Sequence, residues 1–295
     1  MKGRNNISKY IDIENKNYPQ GLKNIENPPK RLYYKGNLKL LEESGFAIIG
    51  TRHITEYGTR IARKFTKEIA LRDITVISGM AIGVDKVAHS ETLRVGGKTI
   101  AVIGSGFDNI YPKENLELYK NIIENDGLVL TEYEDNTKAE SKNFPKRNRI
   151  VAGLSRAVLV IEAAYRSGTS ITADLAWKQG KNVYAIPGRL DNKYGVGVNK
   201  LIQDGAKIVT GVNDILDDFI DWKKRKKRIV NYNMNVKKEY RRIYNIINNI
   251  PMSVDEISLK TNNDVICTSK LLILMELEDL VEQSLGGYIR KDIED

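Results

Sequence analysis

A doubly wound α/β fold with a mostly parallel sheet, followed by a small winged-helix-like domain, is what this sequence predicts. Three observations carry that expectation. Six short apolar runs alternate with amphipathic stretches between residues 44 and 221. The runs are apolar at almost every position, as strands covered on both faces of a parallel sheet must be. Several of them end in glycine, serine or threonine, and in doubly wound sheets ligands bind where strands end.

The first 43 residues are polar and rich in Asn and Lys, with Tyr18-Pro19 and Pro28-Pro29 as punctuation. Proline keeps its neighbours extended, so the segment reads as an arm packed on the main domain, entering a short strand at Arg31-Leu32-Tyr33-Tyr34. The six apolar runs are FAIIG (46–50), ITVIS (74–78), TIAVIG (99–104), LVLTE (128–132), AVLVIE (157–162) and NVYAIPG (182–188). Between them lie helical patterns such as Ile54, Tyr57, Ile61, Phe65 and Ile69, spaced by three or four. Residues 222–238, WKKRKKRIVNYNMNVKK, show no periodicity and read as a basic linker. Residues 239–295 then hold three helical patterns, Glu239 to Asn249, one capped by Ser253 with Glu256, and Val265 to Leu280. A hairpin pattern around Gly286-Gly287 follows, and three helices with a hairpin make the winged-helix pattern.

Charge narrows the function classes. The net charge is +9, but residues 222–242 alone carry ten Lys or Arg against one Glu, and the tail from Ile243 carries ten acids against four bases. The body up to residue 221 is therefore only modestly basic. The six consecutive bases of the linker either grip phosphates or simply keep it solvated. The third helix of the tail would bring Asp264, Glu276, Glu278 and Asp279 against Lys270, so phosphate repulsion favours a protein contact over duplex DNA there. No apolar run approaches the ~18 residues of a membrane span and no leader is visible, which places the chain in the cytoplasm. A single cysteine suits a reducing compartment, and two histidines make a His-rich metal site improbable.

The chemistry concentrates in FPKRNRIVAGLSRAVLVIEAAYRSGTSIT, residues 144–172. From Ser141 to Ser170 there are six Lys or Arg and one acid, Glu162. Single strands are held by a basic groove that tracks phosphates and by rings on which bases stack. Phe144 with Lys146, Arg147, Asn148 and Arg149 supplies both, Arg52 is a candidate phosphate clamp, and Lys113 extends the path. The competing reading puts Phe144 in the core and pairs Arg147 or Arg149 with Glu162 or Glu132. Candidate phosphate-binding turns are Gly50-Thr51, Ser78-Gly79, Gly104-Ser105-Gly106 and Ser167-Gly168-Thr169-Ser170, with Pro187-Gly188 as a further small-residue turn. Taken singly, each glycine could merely make a tight turn; several on one edge favour a groove. Asp85 and His89 stand four apart as an acid–base or metal pair, or His89 simply bonds to backbone or to Asp85. No Walker A motif, nucleophile–base pair or carboxylate cluster is present, so neither catalytic residue nor cofactor is expected, although Glu132 and Glu162 at strand ends keep a hydrolase open.

Those blocks resemble the DprA/Smf family of bacterial DNA-processing proteins over residues 18–219. The likeness runs through IIGTRHITEYG (48–58), SGMAIGVDKVAH (78–89), TIAVIGSGFDNIYP (99–112), FPKRNRIVAGLS (144–155), VIEAAYRSGTSITA (160–173) and AIPGRLDNKYGVGVNKLIQDGA (185–206). The resemblance implies an extended Rossmann-like domain that binds single-stranded DNA, forms homodimers and helps load the RecA recombinase during natural transformation. Two departures stand out: Ile82 where many members carry a basic residue, and no room in the first 43 residues for the family's frequent N-terminal helical domain. An alternative enzyme, a nucleotide phosphoribohydrolase of a related Rossmann-like group, would use Gly168, Thr169 and Ser170 with Glu162 as its carboxylate. A third reading is a small-nucleotide sensor.

Overall fold

A computed structural model describes residues 8–43, 45–228, 236–248, 250–277 and 280–290. The chain divides into two compact units, Met1–Arg228 and Ile229–Asp295.

The first unit is built on a nine-stranded sheet. Two strands come from the N-terminal segment, β1 (Tyr10–Asp12) and β2 (Arg31–Gly36), flanking the short helix α1 (Gln20–Lys23). The repeat then runs β3 (Gly45–Ile49), α2 (Glu56–Ala70), β4 (Val76–Ser78), α3 (Val84–Arg94), β5 (Thr99–Val102), α4 (Leu116–Glu124) and β6 (Leu128–Thr131). It continues with α5 (Asn143–Leu154), β7 (Ser155–Val160), α6 (Gly168–Lys178), β8 (Asn182–Ala185), α7 (Lys193–Gln203) and β9 (Lys207–Ile208). Two short helices, α8 (Asn213–Leu216) and α9 (Ile220–Lys223), close the unit.

The order across the sheet is β1-β2-β6-β5-β4-β3-β7-β8-β9. Every apolar run read from the sequence is a strand, and β3 to β9 pair in parallel. The chain winds outward from β3 to β6, then crosses back through α5 to β7 and winds the other way. Because such crossovers are right-handed, the reversal places α5, α6 and α7 on one face and α2, α3 and α4 on the other. Ile49, Ile77, Val102, Val151 and Val160 pack one buried layer, and Met80, Ala101, Ile103, Leu118 and Ile122 the opposite one.

Two expectations are corrected. The N-terminal segment is no arm laid over a finished domain: β2 hydrogen-bonds antiparallel to β6, Tyr33 opposite Thr131, and β1 adds beyond it. The expected linker does not begin at residue 222. Trp222 is buried against Phe46 and Phe219, and Arg228 N donates to Leu71 O at 2.7 Å, so residues 222–228 pack on the first unit. Residues 229–235 of that expected linker lie outside the described residues.

In the second unit α10 (Arg241–Ile246), α11 (Val254–Thr261) and α12 (Val265–Leu277) precede a hairpin of β10 (Val281–Ser284) and β11 (Gly287–Arg290). The capping box read from Ser253 and Glu256 is formed, each side chain bonding the other residue's backbone N–H. Tyr240, Ile243, Ile257, Leu272, Met275 and Tyr288 make its core. The opposite face of α12 leaves Ile266, Ile273 and Leu277 exposed. Glu278 and Asp279 lie outside the described residues.

Candidate nucleic-acid interface

The reversal of winding falls between β3 and β7, and at that point the loops after neighbouring strands diverge. A cavity of about 450 Å³ opens there. Gly50, Thr51 and Arg52 line it from β3, Gly79 from β4, Phe144, Arg147 and Asn148 from α5, and Ser167, Gly168 and Thr169 from the start of α6.

The β3–α2 loop is shaped from below. Thr51 N donates to Glu162 O at 2.7 Å, and the Glu162 carboxylate accepts from Thr55 N at 3.0 Å and Thr55 Oγ1 at 2.6 Å. Thr55 Oγ1 in turn accepts from Gly58 N, capping α2. Thr51 is buried, whereas Arg52 stands exposed at the rim. Its guanidinium lies 5.4 Å from the Phe144 ring centroid. The Tyr111 ring packs on the same Phe144 at 5.6 Å, and Phe144 itself is half-buried. Ring, guanidinium and second ring thus form one platform at the mouth of the cavity. Lys113 and Lys146, two residues after Tyr111 and Phe144, stand exposed and form no ion pair among the described residues.

Two predicted phosphate contacts are corrected. Arg147 is 4% exposed, and its Nη1 donates to Gly79 O and Val102 O, tying α5 to the ends of β4 and β5. Asp85, also buried, faces it. Burial pushes the Asp85 carboxyl up and the Arg147 guanidinium down to about 10, each opposed by the other's charge, so Arg147 stays cationic at neutral pH. Gly79 threads between them: a Cβ there would lie 2.5 Å from Arg147 Nη2 and 2.7 Å from Asp85 Oδ2. Arg149 is held by Glu132 through two bonds of 2.8 and 2.7 Å, and it also donates to Asn27 O. Both arginines therefore position α5 instead of projecting charge. Asn148 joins the same framework, accepting from Arg147 Nε at 3.2 Å and donating to Gly168 O at 3.3 Å.

The predicted turns divide likewise. Ser78 is fully buried and its Oγ donates to Ile48 O, a tie between strands. Gly104-Ser105-Gly106 is buried too. Gly106 N donates to Thr137 O, and Gly104 packs against Phe144, where a Cβ would come within 3.0 Å of the ring. That turn seats the aromatic ring and offers nothing to a phosphate. At α6 the position is different: Ser167 makes no side-chain cap, Gly168 has open space around it, and Thr169 and Ser170 follow in the first turn. Glu162, the carboxylate of the enzyme reading, is 4% exposed and engaged at Thr55.

Elsewhere, His89 does not bond to Asp85 or to backbone; Nδ1 lies 2.7 Å from Thr99 Oγ1. The Thr99 hydroxyl donates to Val76 O, so His89 Nδ1 must carry the proton it shares. Burial pulls the ring down to about 3, so it is neutral in the folded chain. At the far end of α5, Lys181 Nζ donates to Ala152 O, Gly153 O and Ser155 O at 2.7, 2.8 and 2.5 Å. Burial lowers its pKa to about 8. Of the six bases 223–228, four are paired: Lys223 with Asp217, Arg225 with Glu43, Lys227 with Glu68 and Arg228 with Asp73. Among the described residues no group of three or more His, Cys, Asp or Glu could hold a metal, and no helix is long and apolar enough to cross a membrane.

Sequence reasoning missed Tyr111 as part of the platform. Its signal was available, an exposed aromatic beside Pro112 on a loop leaving a strand.

Comparison with known proteins agrees with this architecture. Residues 9–220 match the family model described as DNA recombination-mediator protein A. The chain is 41% identical over 210 residues to DNA processing protein DprA of Bacillus subtilis (strain 168), covering 71% of this chain and 70% of that protein. It is 44% identical over 202 residues to the DprA of Streptococcus pneumoniae, covering 68% and 71%. The X-ray structure of the S. pneumoniae protein superposes with a TM-score of 0.68 at 42% identity, over 72% of this chain and 74% of that one. DNA processing protein A from Helicobacter pylori, whose structure addresses that protein's single-stranded DNA binding mode, gives 0.65 at 32% identity, over 72% and 97%. This chain, on its sequence and on the architecture that carries the platform, belongs to the DNA recombination-mediator protein A family, the DprA/Smf proteins.

Proposed function

We propose that this chain holds single-stranded DNA along the C-terminal edge of its sheet, as a recombination mediator that passes the strand to a recombinase and turns nothing over. One observation carries the reading: Phe144 lies half-exposed between Tyr111 and Arg52 at the mouth of the cavity, and Lys113 and Lys146, each exposed, follow two residues after one of those rings. A ring accepts any base on its face, and cations track the backbone without reading sequence. The uncapped start of α6 adds backbone N–H groups for a phosphate. The single-strand binding mode described for the H. pylori protein supports the same ligand here.

In this role the chain acts in the cytoplasm as a homodimer, RecA is the recombinase, and the helix-and-hairpin unit, a winged helix in its order of elements, makes a protein contact through the apolar face of α12. A nucleotide hydrolase is disfavoured because Glu162 is buried and holds Thr55. Fluorescence anisotropy with oligo-dT tests the proposal. Arg52→Glu and Lys146→Glu should each weaken binding for all sequences alike; titrations that overlay the wild type for both would remove this edge from consideration.

A further inference from the structure

The same sheet edge carries aromatic–cation groups that the platform around Phe144 does not use. Arg52 and His53 are consecutive and reach to opposite sides of the winding reversal. Arg52 covers Phe144, whereas the exposed His53 ring stacks on Tyr194 with centroids 6.3 Å apart and planes at 19°. Lys193 lies 4.9 Å from the same Tyr194 ring. On the adjoining loop after β7, Arg166 sits 5.1 Å from the ring of Tyr165, which is 54% exposed.

The segments that carry the two tyrosines are joined through the backbone at Ala163. Ala163 N donates to Tyr194 O at 2.9 Å, and Gly197 lies so close to Ala163 that a Cβ would come within 2.1 Å of its carbonyl oxygen. Arg166 holds φ at +53°, a left-handed conformation that non-glycine residues seldom take and that clusters at ligand clamps. His53, Arg166 and Lys193 form no ion pair among the described residues, while Arg189 and Asp191 in the neighbouring loop pair with each other. Exposed rings backed by unpaired cations add little to a core. They have the composition of a stacking surface.

We infer that Tyr165 with Arg166, and Tyr194 with His53 and Lys193, form a second base-stacking platform, so that a single strand seated on Phe144 continues across the winding reversal towards β8. This rests on the single-strand reading proposed above. The Arg52–His53 dipeptide joins the two platforms, one residue serving each.

Oligonucleotide length separates the platforms. Labelled oligo-dT of about 5 and about 20 nucleotides samples the lower end of the usual site size of about 4–16 and exceeds its upper end. On the full chain, Phe144→Ala should weaken both lengths. The double variant Tyr165→Ser/Lys193→Glu should leave the short oligonucleotide unchanged and weaken the long one about tenfold. Both of its side chains are exposed, so its fold is not at issue; Tyr194→Leu, at a half-buried ring, is accepted only if its melting temperature matches the wild type, and should then behave the same way. A double variant that binds both lengths like the wild type, while Phe144→Ala weakens both, overturns the second platform and leaves the single-strand reading standing. A wild type that binds neither length removes the reading and the inference together.

Discussion

The chain has two basic regions, and the one that is denser in sequence is the quieter in space. Residues 223–228 are six consecutive bases, yet four meet Asp217, Glu43, Glu68 or Asp73 on the surface of the first unit. The edge around Phe144 has fewer cations, but Arg52, Lys113 and Lys146 close no ion pair among the described residues, Lys146 feeling Glu140 only at longer range. Charge acts on a ligand only where nothing in the protein has already answered it. The difference also divides neighbours on one helix: Lys146 faces outward, while Arg147 is buried against two carbonyls.

The largest effect should come from the buried member. Arg147→Met leaves Asp85 in the interior without its opposing charge and frees the carbonyls of Gly79 and Val102, so it should cost about 3–5 kcal/mol in a urea titration. A variant as stable as the wild type would erase the line drawn between inward and outward cations. Next, Phe144→Ala removes the stacking face and should weaken oligo-dT binding about 5- to 150-fold, the equivalent of about 1–3 kcal/mol per base. Arg52→Gln sharpens the contrast through salt: if it contacts one phosphate, the slope of log affinity against log salt should fall by about 0.7. Arg225→Gln/Lys227→Gln, in the paired run, should leave that slope unchanged.

The smallest effect concerns the paired run itself. Burial raises the Glu68 carboxyl, but hydrogen bonds from Lys227 and Arg72 outweigh it and hold the group below its usual range. A depressed carboxylate contributes stability above its unfolded pKa and loses it as pH falls through the folded one. Lys227→Gln should therefore cost at most about 1 kcal/mol at pH 7, as half-exposed pairs do. That difference should vanish once acid has protonated Glu68, which thermal melts of both proteins at neutral and acid pH would follow.

How much of this was legible depended on whether a signal was local. The six apolar runs announced themselves because parallel strands are covered on both faces. β9 did not: it has two residues, Lys207 and Ile208, both exposed, and no pattern to read. In the site, the residue types of Phe144, Arg52, Lys113 and Lys146 marked them, and the structure brings Phe144 and Arg52 into contact. The role of Arg147 was invisible because its acceptors lie 68 and 45 residues away in sequence. Arg149 and Glu132 were legible as alternatives only, since composition lists possible partners without choosing between them. The buried Gly104-Ser105-Gly106 turn misled for a related reason: small residues admit either a ligand or a neighbouring ring, and here the ring of Phe144 occupies the space.

Lys181 extends the map of residues that matter well beyond the cavity. It clamps the trailing end of α5, a helix of 12 residues and so about 18 Å long, by gripping three carbonyls at once. Phe144 rides at the leading end of that same rod. A screen for variants that lose DNA should thus return changes at Lys181 although it touches no nucleotide, and their signature would be a loosened helix seen as faster amide exchange along α5.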